Sequence, residues 1–320
     1  TTLYAYWTSN AITLPTPETR SGYLFDGWYT AASGGTSVGG GSASYTPSGN
    51  ITLYAHWSST IYAISSPATG RNSLAEAISV ANAGATITVQ DNASNQSATF
   101  NKNLTLNLGG YLLSNTHITN SSLNTLVINS NGTGTISNSS GRAITNNNGY
   151  LTINSTIISS TGGIGIFNTG QLTLNSSRIT TEGHAAIQNG TDSNRTGLVW
   201  LSNTSLYTSG NAHTIRNFSA QTWSTCTQAC TIHITGSADI RQDSSTKDWY
   251  TVMDEHGYVH FPQAFTGTVY NYKYYVLRCA TGGKIVMNGG TISARSDTYY
   301  KNITDDGKIT IHSRVTKDTH

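Results

Sequence analysis

The sequence predicts an all-β protein whose main body is a parallel β-helix. Three observations carry this. A phrase of short apolar runs recurs along most of the chain, Asn returns at two fixed places within it, and no single run is long enough to bury its own face. The clearest copy lies between Leu151 and Thr181. Leu151-Thr152-Ile153-Asn154-Ser155 opens one turn, and Leu172-Thr173-Leu174-Asn175-Ser176 opens the next, 21 residues later. Between them Ile157-Ile158 and Ile166-Phe167-Asn168 mark two further runs, giving three short strands per repeat. Units of this kind are stable only when stacked on copies of themselves.

Equivalent openings fall at Ile87, Leu104, Leu126, Leu151, Leu172, Val199, Ile232, Val259, Ile285 and Ile309, in steps of 17, 22, 25, 21, 27, 33, 27, 26 and 24 residues. A fixed core with insertions at some corners produces such a series. The first strand carries Asn three residues after its opening at Asn107, Asn129, Asn154, Asn175 and Asn288. The third strand reads apolar-x-Asn at Asn146, Asn168, Asn189 and Asn217. An amide has two donors and an acceptor, so Asn at equivalent corners can form a ladder and satisfy turn backbone groups.

Composition sets the outer limits. The chain has 320 residues and only 10% charged ones, with a formal charge of +2. Low charge with low hydropathy resembles disorder, but a regular period of β-branched runs argues against it. Lys and Arg are scattered, which gives no footprint for nucleic acid. No apolar run approaches the roughly 20 residues of a membrane span. The chain shows no signal peptide and ends just after a coil opens. It reads as a monomeric segment of a longer protein.

In chain order, residues 1–58 differ in style, holding three of the five prolines and three of the six tryptophans within their first 57 positions. Thr2-Leu3-Tyr4-Ala5-Tyr6-Trp7 is echoed by Thr52-Leu53-Tyr54-Ala55-His56-Trp57, with Gly22-Tyr23-Leu24-Phe25-Asp26-Gly27-Trp28-Tyr29 between them. Aromatics alternating within Gly and Pro bounds predict a small β module. These runs resemble the Listeria–Bacteroides surface repeat of the internalin B-repeat type. The family's usual Val-x-Phe-x-x-Asn-Gly-Gly opening is absent, so residues 1–7 are either the tail of a preceding repeat or a substitute first strand. The resemblance implies an extracellular protein of a Gram-positive or gut bacterium, held at the cell surface, with the module as a spacer and no chemistry of its own.

Residues 59–86 form a linker and cap. Ser73 and Glu76 are spaced as a capping box, Leu74, Ala77, Ile78 and Ala81 share one helical face, and Gly84 follows as a stop. Such a helix would cover the open end of a solenoid core. The Ser-Leu-x-Glu-Ala-Ile run resembles the caps of right-handed β-helices in the pectate-lyase-like superfamily, which implies that hand. The β-helix then occupies 87–320. It contains no Asp or Glu between Asp91 and Glu182, so its first half reads as a structural shaft in which His117 and His184 are solvated turn residues. After 199 the coils carry long insertions.

Function, on this sequence, concerns those later coils. Cys226 and Cys230 lie four apart in a loop-like run, consistent with a small disulfide of an extracellular protein or with two thiols. Cys279 falls in the third-strand Asn column and is expected to be a buried small side chain. No set of ligands for a metal or cofactor stands out. A ligand-binding patch is expected from Trp249, Tyr250, Asp254, Glu255, Tyr258, Tyr272, Tyr274 and Tyr275, joined by Tyr299 and Tyr300. Tyr and Trp dominate interface hot spots. Packing of the same rings as a satellite core is the equal alternative. The pectate-lyase-like resemblance also implies a possible polysaccharide lyase or glycoside hydrolase. Hydrolysis needs two carboxylates about 5–10 Å apart, and Asp243, Asp248, Asp254 and Glu255 are the only candidates, with no lyase or polygalacturonase set. The expected function is an adhesin for a host glycan or glycoprotein, such as a mucin, a matrix protein or an immunoglobulin. A passive stalk is the other alternative, and an ice-binding face a remote fourth.

Overall fold

The coil beginning at Tyr150 shows how the sequence makes the fold. Its strands are Tyr150–Asn154, Ile157–Ser160 and Ile166–Asn168. Each is too short to close a sheet in its own plane, and each pairs in parallel with its equivalent one coil on. Repetition yields three faces, a parallel β-solenoid. The computed structural model describes residues 10–121, 123–190, 197–218, 231–243, 250–255, 258–271, 276–280, 283–294, 300–302 and 308–319. Among them the first, second and third faces are sheets of twelve, ten and nine strands.

Alternation along each strand sends every second side chain inward. On the first face Leu126, Leu151, Leu172, Val199, Ile232, Val259 and Ile285 pair in one column and are at most 1% exposed. The openings read from the sequence are thus equivalent from Leu104 onward. Ile87 is the exception, because it pairs with Leu106, and the Leu104 position is matched by Ala85, whose carbonyl accepts from the Thr105 amide. A slip of two residues keeps the same face inward, so a periodicity reading cannot detect it.

The inner Asn column forms a hydrogen-bonded chain longer than the sequence suggested. Asn120 Nδ2 donates to Asn146 (2.9 Å), Asn146 to Asn168 (2.7 Å), Asn168 to Asn189 (2.7 Å), Asn189 to Asn217 (2.8 Å) and Asn217 to Asp254 (2.7 Å). Every donor points the same way along the axis. A carboxylate only accepts, so Asp254 suits the receiving end, and its second oxygen accepts the Lys284 amide at 2.8 Å. Cys279 occupies the next register position and is buried. The outer column runs in the opposite sense, from Asn175 to Asn154 (2.9 Å) and from Asn154 to Asn129 (2.8 Å). Asn107 instead accepts the Gly109 amide, and Asn288, beyond its strand, pairs with His260.

Successive coils touch closely at the corners, and this is where glycine is required. A methyl on Gly162 would overlap the Ser139 carbonyl oxygen and the Ser140 Cα of the preceding coil, backbone atoms that cannot swing aside as a side chain would. Gly162→Ala is therefore expected to lower stability by about 2 kcal/mol, measured by chemical denaturation. Gly49→Ala, which meets open space, serves as the control.

The N-terminal end is covered as expected, with different capping bonds. The helix Leu74–Val80 buries Leu74, Ala77 and Ile78 against the first coils. The Ser73 side chain makes no cap bond; the Gln96 side chain accepts the Leu74 amide at 3.0 Å instead. At the other end Lys102 Nζ reaches the carbonyls of Ser79 and Ala81, where a cation favours the helix dipole. The helix ends at Ala81 in extended backbone, and Gly84 belongs to the following turn. A hairpin, Tyr62–Ser65 with Ala68–Arg71, joins the first face antiparallel to its first coil strand.

Before it stands the small module, with strands Tyr23–Tyr29, Ser37–Gly39 and Tyr54–Ser59 in one antiparallel sheet. Phe25 packs against Trp28 and Trp57, and Tyr29 stacks on His56 at 4.0 Å. The module is tied to the solenoid by the Gly22 amide to the Thr69 carbonyl and the Thr60 amide to the Gly22 carbonyl.

Candidate functional site

Among the described residues, the register distributes Tyr250, Asp254 and Tyr258 of the expected patch over a corner, the interior and the first face. Tyr250 lies at a corner, 5% exposed, with its amide donating to His213 Nδ1 at 3.0 Å. Asp254 is fully buried in the ladder, which replaces the surface role expected of it. Tyr258 projects from the first face. Glu255 and Tyr300 lie in third-face strands, paired in register with Phe218 and Leu277. Trp249, Tyr272, Tyr274, Tyr275, Tyr299, Cys226 and Cys230 fall outside the described residues. Phe261 and Phe265 pack on each other inside the coil at 5.1 Å.

Tyr258 belongs to a ring cluster on the first face. It stacks on His260 at 5.5 Å and 14°, with His233 beside both and Lys284 Nζ 5.4 Å from its ring. Burial lowers the pKa of His233. Burial, then the charges of His233 and Lys284, lowers that of His260. The two imidazoles pack edge to face at 5.7 Å. Trp200, in the same outward column, is 38% exposed.

The second face makes a cavity. Its outward column runs Ser137, Ser159, Thr180 and then enlarges to Tyr207, Arg241 and Tyr270. The neighbouring column carries Ile157, Arg178 and Ser205. Small hydroxyls in the earlier coils and long side chains in the later ones leave a step, and at that step lies an open pocket of about 380 Å³. It is lined by Arg178, Thr180, Ser205, Leu206, Tyr207, Asp239 and Arg241. Asp239 and Arg241, two apart on one strand, share a side of it and form an ion pair at 2.9 Å. Both are half exposed, so the pair orients Arg241 more than it stabilises the coil. Tyr207 stands 36% exposed beside them.

A second cavity of about 240 Å³ continues along the corner between the first and second faces, lined by Gly132, Ser155, Thr156, Ile157, Ser176, Ser177, Arg178, Asn203 and Ser205. Ser155, Ser176 and Asn203 hold left-handed backbone there (φ 51°, 49° and 50°), the turn conformation that stacks coil after coil. Arg178 and Ser205 line both cavities, joining them into one groove. Such a surface offers an aromatic platform, hydroxyl donors and acceptors, and guanidinium groups.

Sequence reasoning missed these residues. Arg178, Tyr207 and Arg241 are 29 and 34 residues apart, and only the register brings them together. The available signal was the alternation within Arg178–Glu182, Ser205–Ser209 and Asp239–Asp243, in which Ile179, Leu206 and Ile240 face inward and Arg178, Thr180, Ser205, Tyr207, Asp239 and Arg241 face outward.

No curated protein and no solved structure matches the chain. Residues 1–56 match the Listeria-Bacteroides repeat domain, which accounts for the small module and places that part of the chain among proteins carrying this repeat.

Proposed function

We propose that this chain is part of a bacterial surface adhesin whose β-solenoid presents a glycan-binding groove on its second face. The repeat at residues 1–56 supports the location, since such domains occur in surface or secreted bacterial proteins. The Gly22–Tyr29 run aligns the module with the internalin B-repeat type, and the helix-capped parallel solenoid aligns the body with pectate-lyase-like β-helices. One observation carries the binding role: the 380 Å³ pocket with Tyr207 standing between arginines and hydroxyls. Sugars combine a face of C–H groups that stacks on an aromatic ring with a rim of hydroxyls that bond polar side chains. The ligand is a glycan chain of a host glycoprotein.

The lining favours binding over cleavage. Among the described residues it contains a single carboxylate, Asp239, and Arg241 already engages it. Hydrolysis uses two carboxylates facing each other across the bond.

A glycan array probed with the full chain tests the reading. Tyr207→Ala is expected to weaken binding to the best ligand at least about tenfold, near 1.4 kcal/mol, in keeping with the aromatic anchors of other interfaces. A wild-type chain that binds no glycan on the array overturns the proposal.

A further inference from the structure

The groove holds a cation without a counter-ion. Arg178 is exposed at the junction of the two cavities, and among the described residues no side chain hydrogen-bonds or ion-pairs with its guanidinium. Its register neighbours are Ile157 and Ser205, neither of them acidic. Arg241, in contrast, is committed to Asp239 at 2.9 Å. With two arginines against one aspartate among the described lining residues, one positive charge remains there, and it sits on Arg178.

From this we infer that the groove selects acidic glycans, with Arg178 taking a carboxylate or sulfate oxyanion while Tyr207 stacks on the sugar ring. The inference rests on the glycan reading above and adds the ligand's chemical class. A guanidinium presents a planar fork of donors that matches an oxyanion in two hydrogen bonds. Tyr207 is one rung on from Arg178 and two residues along, a separation of about 8 Å between backbone positions. Both side chains can reach one monosaccharide across that distance. The groove spans coils from Gly132 to Asp239, four rung spacings or about 19 Å, long enough for an oligosaccharide. Its hydroxyls at Ser155, Ser176 and Ser205 suit sugar hydroxyls on either side of the anion. An acidic peptide is a poorer match. The groove lies on the face of a sheet whose backbone groups are already paired, so there is no open edge for strand addition.

Calorimetry on the full chain tests this with a sialylated oligosaccharide and a sulfated one, each against its neutral parent, and with polyglutamate. The wild type is expected to bind at least one acidic sugar about tenfold or more tightly than its parent, with an affinity that falls as salt rises. Which of the two sugars shows the preference identifies the oxyanion. Arg178→Ala should remove the preference, weakening the acidic sugar about tenfold or more beyond any effect on its neutral parent, and Arg178→Lys should restore part of it. Tyr207→Ala should weaken acidic and neutral sugars together. Arg178 is exposed on a strand, so an unchanged thermal melt verifies that its variants fold. Equal binding of acidic and neutral sugars, or a preference that survives Arg178→Ala, overturns the acidic class and leaves the glycan reading standing. Polyglutamate binding as tight as the acidic sugar overturns it too, because charge alone would then explain capture. Binding of no sugar of any kind removes the glycan reading itself.

Discussion

Asn168→Ala is expected to destabilise the solenoid by about 4 kcal/mol, more than truncation of an ordinary surface amide by an order of magnitude. Asn168 is fully buried. Its Nδ2 donates to the Gly170 carbonyl at 2.9 Å and to Asn189 at 2.7 Å, and its Oδ1 accepts from Asn146 Nδ2 at 2.7 Å and from the Gly170 amide at 3.3 Å. Alanine leaves four buried polar groups each short of a partner, at roughly 1 kcal/mol apiece. Asn168→Asp separates this loss of bonds from loss of volume. It fills the same space, yet it replaces the donor facing Asn189 Oδ1 with an acceptor, so it should be at least as damaging as alanine. Solenoids open coil by coil, so hydrogen exchange should show the effect centred on the coils of Asn146, Asn168 and Asn189, with the module strands Tyr23–Tyr29 and Tyr54–Ser59 unaffected. An Asn168→Asp variant as stable as the wild type would show that donor direction along the ladder is unimportant.

The same ladder explains what could be read from the sequence and what could not. Leu151, Leu172, Asn146 and Asn168 repeat because stacking forces one side-chain size and one bonding pattern at each inward position, and Asn154 and Asn175 repeat because their amides bond from coil to coil on the outer side. The repeat is therefore visible without coordinates, and the stacked parallel coils follow from it. Asp254 shows where such reading stops. Val252-Met253-Asp254 fits the same apolar-x-polar slot as Ile215-Arg216-Asn217, but an acid in a long aromatic segment reads as a surface group, since unpaired buried acids are rare. The register places it in the column, where two donors satisfy it. Outward positions without such a ladder obey no such restriction. Ser159, Thr180, Tyr207 and Arg241 share one column but differ in size and charge, so the groove they build could not announce itself as a repeat. Tyr258 stands out in the sequence, but its grouping with His233 and His260 on the first face is set by the register alone.

Acidification should weaken the later coils through His213. This side chain is 6% exposed, and burial lowers its pKa from 6.5 to about 4, with the charges of Arg216 and Arg278 acting in the same direction. A backbone hydrogen bond to Tyr250 partly opposes the shift. The folded imidazole thus stays neutral where the unfolded one already binds a proton. In that window stability rises with pH, so it is fully present above about 6.5 and is lost as pH falls toward about 4. Between about pH 7 and pH 5 the expected loss is on the order of 2 kcal/mol, and the full shift corresponds to about 3 kcal/mol. Stopping near pH 5 keeps most ordinary carboxylates ionised, which isolates the histidines. His117, His233 and His260 are also lowered by burial and contribute with the same sign. His213→Gln keeps an acceptor for the Tyr250 amide and removes the titration, so its denaturation midpoint should fall less steeply over this range than that of the wild type. Parallel midpoint-against-pH curves for the two proteins would show that His213 is not the group whose burial sets the acid sensitivity. A flatter variant curve would assign it to the contact between His213 and Tyr250, the point at which a coil corner has taken a titratable ring out of water.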